Sequence, residues 1–265
     1  MSRAPFEETR RYLEIVRALA QREFVARYRG NLFGLLPAVL VPLLLLLTYT
    51  FVFSKLIPVQ IRPDAQSGDY AFFLFSGLVG WNLFAEVVAR APRLFGDQAH
   101  FVREARFPAS ALAVASGLSA FYQSVLWLVV FVLARWVMQG EVSAAVWWSP
   151  LVLAMLGVLA AGIALTLAAL GALIRDLREL VGPLLALGLF LSPVLYPADR
   201  IAKAAPWLAD INPLVPQLAM LRATLLDGVV PELRVVGIAA LWCLGMIVLG
   251  VVVHRRTRPM LADLV

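Results

Sequence analysis

The sequence predicts an all-α integral membrane protein, and three observations carry that prediction. Hydrophobic residues make up 62% of the 265-residue chain and charged residues 15%, whereas soluble domains run near half apolar and a quarter charged. Long uncharged runs recur, several of them near the ~20 residues a helix needs to cross a bilayer. The charge is gathered between those runs, most sharply at Arg175, Asp176, Arg178 and Glu179. Hydrocarbon cannot hold such a cluster without many partners, so the chain surfaces there and turns back.

Taken in order, residues 1–30 form a cytoplasmic interfacial segment and 31–265 a six-span membrane domain. Within 5–29, Leu13, Val16, Ala20 and Phe24 recur at helical spacing, while Arg10, Glu14, Arg17 and Gln21 line the other side. Arg22, Arg27 and Arg29 belong to a polar face suited to anionic headgroups, and Glu23 with Arg27 adds an i,i+4 pair. A solvent-facing helix of no special role is the plainer alternative.

Span one covers 32–53, with kinks expected at Pro37 and Pro42. Span two covers 70–88 and ends at Glu86 and Arg90, an i,i+4 pair at headgroup level. Glu86 as a proton site is the alternative, but one acid is little to run a relay. Pro92 and Pro108 fence a loop, and span three follows at 110–134, closed by Arg135. Span four, 150–174, repeats Ala160, Ala164, Ala168 and Ala172, a flat side for close helix packing that suits a two-fold dimer. Span five, after the charged turn, is only about 16 residues long, marginal for a crossing, and is broken by Pro183 and Pro193. Residues 196–233 hold five prolines with too much leucine for a solvated loop, and read as a partly re-entrant outer gate region. Span six, 235–253, stops at His254, Arg255, Arg256 and Arg258. With both termini in the cytoplasm, roughly sixteen of the 23 basic residues lie inside and roughly seven outside, as the positive-inside bias requires.

Several chemistries are excluded. The only lysines, Lys55 and Lys203, do not follow glycine, so no G-x-x-x-x-G-K-S/T phosphate loop exists. The only histidines, His100 and His254, sit at the cytoplasmic face, leaving none at depth to activate a serine or bind zinc. Cys243 is the sole cysteine, so no intrachain disulfide forms. The net charge of +6 is explained by topology and not by nucleic acid, since the arginines fall between apolar runs. The 92–108 loop is more informative. Phe101, Val102 and Phe107 alternate with Arg103, Glu104 and Arg106 in a stretch that can form a short amphipathic helix for a soluble partner's groove. A loop resting on the bilayer is the alternative.

Four stretches together resemble a known family: EFVARYRGNLFGLLPAVLVPLLLLLTYTFVFS at 23–54, FVREARFP at 101–108, IRDLRELVGPLLALGLFLSPVLYP at 174–197, and INPL at 211–214. In this order and with six spans, they resemble the permease subunit of ABC exporters for cell-envelope polysaccharide, of the O-antigen and teichoic-acid export type. Leu36 and Pro37 depart from it, standing where the family shows a Trp followed by a small residue.

The resemblance implies a homodimer of this chain with two copies of a separate ATP-binding subunit in the bacterial inner membrane. ATP and Mg would sit on that partner, with no cofactor on this chain. The substrate would be polysaccharide, O-antigen in the first instance, on a polyprenyl diphosphate lipid. Phe101, Arg103, Glu104, Arg106 and Phe107, with Arg175, Asp176, Arg178 and Glu179, would couple to the ATPase. Tyr49, Phe84, Tyr196, Asn212 and Pro213 are candidates for the conduit or gate. Alternatives are a capsule, drug or lipid exporter permease, or a proton-coupled secondary transporter, which should carry several acids at depth.

Overall fold

The structure is a computed structural model and describes residues 4–29, 33–56, 69–102, 104, 107–140 and 142–264; among them all regular structure is helical. In chain order the helices are α1 (Ala4–Ala26), α2 (Leu36–Phe51), α3 (Asp69–Arg90), the short α4 (Leu94–Asp97) and α5 (Ala99–Val102), and α6 (Ser110–Gln139). There follow α7 (Ser149–Leu173), α8 (Leu177–Leu191), α9 (Ala198–Ala204), α10 (Pro206–Ile211), α11 (Leu214–Arg222) and α12 (Leu233–Leu264). Among the described residues five segments are long and apolar enough to cross a membrane: Leu36–Leu56, Asp69–Asp97, Ser110–Gln139, Ala144–Leu173 and Leu233–Pro259. The expected sixth, α8, has 15 residues and rises about 22 Å, short of a hydrocarbon core of about 30 Å.

Burial ranks the helices. In their most apolar windows 78% of α3 and 61% of α7 are buried, against 17% of α2 and of α12, so α3 and α7 form the spine. Small residues let α7 act as that spine. Gly117 of α6 meets the backbone of Gly157, and Gly250 of α12 packs on the carbonyl of Gly162. Ala160, Ala164 and Ala168 have no exposed surface. The flat alanine side predicted for this helix is therefore spent inside the protomer and is not free for a second copy. Small faces allow close backbone approach, which drives helix association where lipid removes the hydrophobic force between helices.

Four further expectations are corrected. Pro37 lies in the first turn of α2, where its missing N–H would have had no helical partner, so only Pro42 interrupts the helix interior. Arg135 lies within α6, which runs on to Gln139 and ends at Gly140, whose φ of 77° makes the left-handed cap. The stretch expected as one amphipathic helix between Pro92 and Pro108 is divided into α4 and α5, because Gln98 leaves helical geometry at φ −115° and ψ 31°. In α1 the buried stripe is set by Val16 and Ala20 against Ala111 and Ala115 of α6, flanked by Tyr12, Ile15 and Leu19. Leu13 points away and is 59% exposed, since adjacent helix positions differ by about 100°.

These contacts give a direct test. A Cβ on Gly162 would stand 2.7 Å from the carbonyl carbon of Met246, whereas nothing lies within 4 Å of one on Gly245. Gly162→Ala should lower the thermal unfolding midpoint in detergent, at a cost of about 1–3 kcal/mol for overpacking. Gly245→Ala should leave it unchanged or raised by helix propensity. Equal midpoints for the two variants would refute the α7–α12 contact.

Candidate functional site

Polar side-chain contacts gather at the two ends of the bundle. The end that carries α1, α4, α5 and the close of α12 is called basal here, and the opposite end distal. The distal end is organised around a break in the chain at 192–197. Proline cannot donate a backbone hydrogen bond and disfavours helix in the residue before it, so Ser192-Pro193 stops α8, and Ser192 is extended at φ −105°, ψ 151°. The carbonyls around the corner then lack helical donors, and where they are buried each must find another.

Four side chains supply most of them. The Tyr196 hydroxyl donates to Phe190 O at 2.8 Å, and Asn212 Nδ2 to Leu191 O at 3.2 Å and to Ser192 Oγ at 3.0 Å. Arg222, at the end of α11, donates to Pro193 O at 2.5 Å, Val194 O at 2.7 Å and Tyr196 O at 3.4 Å. The Tyr70 hydroxyl of α3 closes Leu195 O at 2.9 Å, and the Val194 amide closes Ser192 O at 2.7 Å. Arg222 is 7% exposed, and its guanidinium carbon lies 3.7 Å from the centre of the Phe73 ring. Carbonyl dipoles and an aromatic face thus solvate this buried cation.

The approach is possible because Gly77 of α3 has no side chain; a Cβ there would lie 2.8 Å from both Arg222 Nη2 and Val194 O. The segment after α11 is tied to the bundle by Arg135, which donates to Leu225 O and to Leu226 O at 3.0 Å, and by Ser149 to Thr224 at 3.0 Å.

Two of the predicted gate residues, Tyr196 and Asn212, are therefore corner fasteners. Asn212 also accepts from the Leu214 amide at 2.9 Å across Pro213, the residue that precedes α11. Tyr49 is half-buried in α2, its ring 6.4 Å from Phe53, which packs edge-on to Tyr70 at 4.6 Å. Phe84 lies in the protomer's own core against Trp81. Arg222, Tyr70 and Phe73 were not singled out from sequence. The available signal was an arginine closing the apolar run LVPQLAML, a rare residue to bury without a role.

At the basal end the two i,i+4 pairs predicted separately join into one cluster. Arg27 contacts Glu23 at 3.4 Å and also pairs with Glu86; Arg90 contacts Glu23 at 2.8 Å and also pairs with Glu86. Arg27 donates to Ser119 Oγ at 2.9 Å, and the next residue, Tyr28, donates to Gln123. Burial pushes the Tyr28 phenol above its ordinary value, so it stays a donor at neutral pH. The end of α1 is thereby fastened to α3 and α6.

Arg22 reaches the loop beyond. It donates to Gln98 at 3.4 Å and lies over the Phe101 ring at 5.4 Å. Phe101 stacks on Phe107 at 4.8 Å, and both pack on the core; Glu104 is exposed, and Arg103 and Arg106 lie outside the described residues. The loop's deepest anchor is Phe95, fully buried beside His254.

In the neighbouring turn Arg178 donates to Gly171 O at 3.3 Å, whereas Arg175, Asp176 and Glu179 are exposed. Arg29 is also exposed. The exposed charges of the turn and the loop thus share one end of the molecule. No group of three or more His, Cys, Asp or Glu that could hold a metal occurs among the described residues.

The corner makes a prediction. Arg222→Leu removes three donors from buried carbonyls, a loss of about 2–5 kcal/mol. It should lower the unfolding midpoint and expose a cysteine placed at Tyr196 to a membrane-impermeant maleimide. An unchanged midpoint with unchanged labelling would show that Arg222 does not hold the corner.

The chain is similar to an O-antigen export system permease protein RfbA of Myxococcus xanthus, 29% identical over 248 residues that cover 89% of this chain and 91% of the relative. A protein of the same description from Klebsiella pneumoniae is 23% identical over 254 residues, covering 95% of each chain. The sequence pattern of the ABC-2 type transporter matches residues 14–226, the stretch that holds both the basal cluster and the carbonyl corner. On that match the chain belongs to the ABC-2 type transporter family.

Proposed function

We propose that the chain is the transmembrane permease half of an ATP-driven exporter that moves polyprenyl-diphosphate-linked polysaccharide, of the O-antigen class, across the inner membrane. The observation that carries this reading is the relatives' match over about nine-tenths of both chains, with their printed role in O-antigen export. The structure supports it in two ways. A non-helical corner fastened by side chains at the distal end suits an outer gate, and a charged surface built from two loops at the basal end suits a soluble ATP-binding subunit. In this reading the basal end faces the cytoplasm, α8 with the re-entrant α9–α11 completes six passages, and ATP and Mg stay on the partner.

A second copy of the chain completes the transporter. The alanine side of α7 is already used, so the candidate surfaces for the partner are the leucine-rich faces of α2, α8 and α12, where Leu40 and Leu44, Leu180 and Leu184, and Leu241 and Leu244 are exposed. A proton-coupled mechanism is disfavoured because Glu86 is held by both Arg27 and Arg90.

Two outcomes test the proposal. Co-expression with the cognate ATP-binding subunit should yield a vanadate-sensitive complex of two permeases and two ATPases, with no turnover by the permease alone; robust turnover by the chain alone would end the reading. Reversing Arg175 and Glu179 to Glu and Lys should reduce ATPase recovery several-fold, since exposed pairs contribute up to about 1 kcal/mol each, and leave membrane abundance unchanged. Phe101→Ala with Phe107→Ala should lower both, because those rings pack on each other. Full ATPase recovery in the charge-reversed variant would place the contact elsewhere.

A further inference from the structure

A cleft of about 380 Å³ opens at the basal end between the start of α6, α7 and the end of α12. Val251, His254, Arg255 and Arg258 line it from one side of α12, as spacings of three, four and seven residues require. Arg256, on the same turn, is not among the lining residues. Leu165 and Val251 make an apolar floor, and Ser110 stands at the first position of the 30-residue α6. His254 is 9% exposed, and among the described residues its Nδ1 has no hydrogen-bond partner.

Both charged groups that line the cleft are cationic. Two guanidiniums, an imidazole and a hydroxyl line it beside the start of α6, and among the described residues no carboxylate does. Such a set binds an anion, and forked guanidiniums fit phosphate oxygens best. Arg255 and Arg258 are exposed, so they can fold onto a ligand without breaking a buried contact. The anion's carrier follows from the floor and the position. The site lies where a membrane-spanning helix passes from apolar residues to arginines, and its base is hydrocarbon.

We infer that this cleft binds the phosphate of a membrane lipid. Arg255 and Arg258 hold the phosphate oxygens, Ser110 and His254 complete the polar shell, and Leu165 and Val251 pack on the first carbons of the lipid. Anionic phospholipid and polyprenyl diphosphate share this chemistry. The site is argued independently of which cargo the chain exports, so its failure would leave the export reading untouched.

The test is native mass spectrometry of the detergent-purified chain titrated with phosphatidylglycerol, phosphatidylcholine, polyprenyl diphosphate or inorganic phosphate. Arg255→Ala with Arg258→Ala should weaken phosphatidylglycerol binding about tenfold or more, the effect of losing charge-assisted hydrogen bonds. The double Lys variant should keep most of it, and Arg256→Ala all of it. The lipid that binds more tightly through the arginine pair is the natural occupant. Should the double Ala variant fail to fold, Val251→Phe, which fills the floor with both arginines kept, should abolish the same binding. Wild-type binding by the double Ala or the Val251→Phe variant would overturn the site. So would an equal loss in Arg256→Ala, tight binding of inorganic phosphate alone, or loss of ATPase recovery with lipid binding intact, the last marking a protein partner's acidic segment.

Discussion

The structure depends on one constraint: a backbone that leaves helical geometry where it is buried must have its carbonyls closed by the protein itself. Residues 190–196 meet it through Arg222, Tyr70, Asn212 and Tyr196. That requirement fixes much else. Arg222 can reach three carbonyls only if α11 lies beside the end of α8, and α11 can lie there only because α3 presents Gly77 to Val194 and Gly80 to Leu218. A buried arginine would ordinarily be a liability of several kcal/mol. Here it is surrounded by oriented carbonyl dipoles and the Phe73 face, so the break and the cation stabilise each other.

The second organising factor is the distribution of small residues. Glycines and alanines of α7 admit α6 and α12 to backbone contact, and Gly171 admits the backbone of Pro92, which seats the basal loop. With its small faces consumed inside the protomer, the surface left over is leucine-rich: α2, α8 and α12 present large apolar side chains outward. Leucine packs against lipid and against another leucine with similar ease, so such faces can be covered by bilayer or by a second copy without changing the protomer.

What was legible in the sequence was whatever depends on local pattern. Apolar run length placed α2, α3, α6, α7 and the start of α12 within a few residues, but α12 continues to Leu264 past its expected end at 253; of the two expected proline breaks, Pro193 follows the end of α8, whereas Pro183 lies inside that helix. The pairs Glu23–Arg27 and Glu86–Arg90 were legible because i,i+4 spacing is local; their union was not, since 67 positions separate Glu23 from Arg90. The role of Arg222 was not legible for the same reason: its three carbonyl partners lie 26 to 29 positions upstream. The alanine repeat of α7 showed that a close contact must exist but not with what, because a flat face carries no information about its partner. Phe101 and Phe107 looked like free anchors only because their contacts with each other and with Arg22 depend on how the loop folds back.

The two ends are joined by α3. Its 22 residues span about 33 Å, with Glu86 and Arg90 in the basal cluster and Tyr70, Phe73 and Gly77 at the carbonyl corner. A helix buried along most of its length moves as a rod more readily than it bends. Any displacement of α1 or of the loop after Pro92 that shifts the Arg27–Glu86 pair therefore acts on the same element that positions Leu195 and the Arg222 guanidinium. The corner is held by a few directional bonds and the basal end by a cluster of charges. A rigid shift of α3 is therefore felt at both ends at once, through the Arg90 bond to Glu23 at 2.8 Å and the Tyr70 bond to Leu195 O at 2.9 Å, because hydrogen bonds weaken steeply with distance and angle.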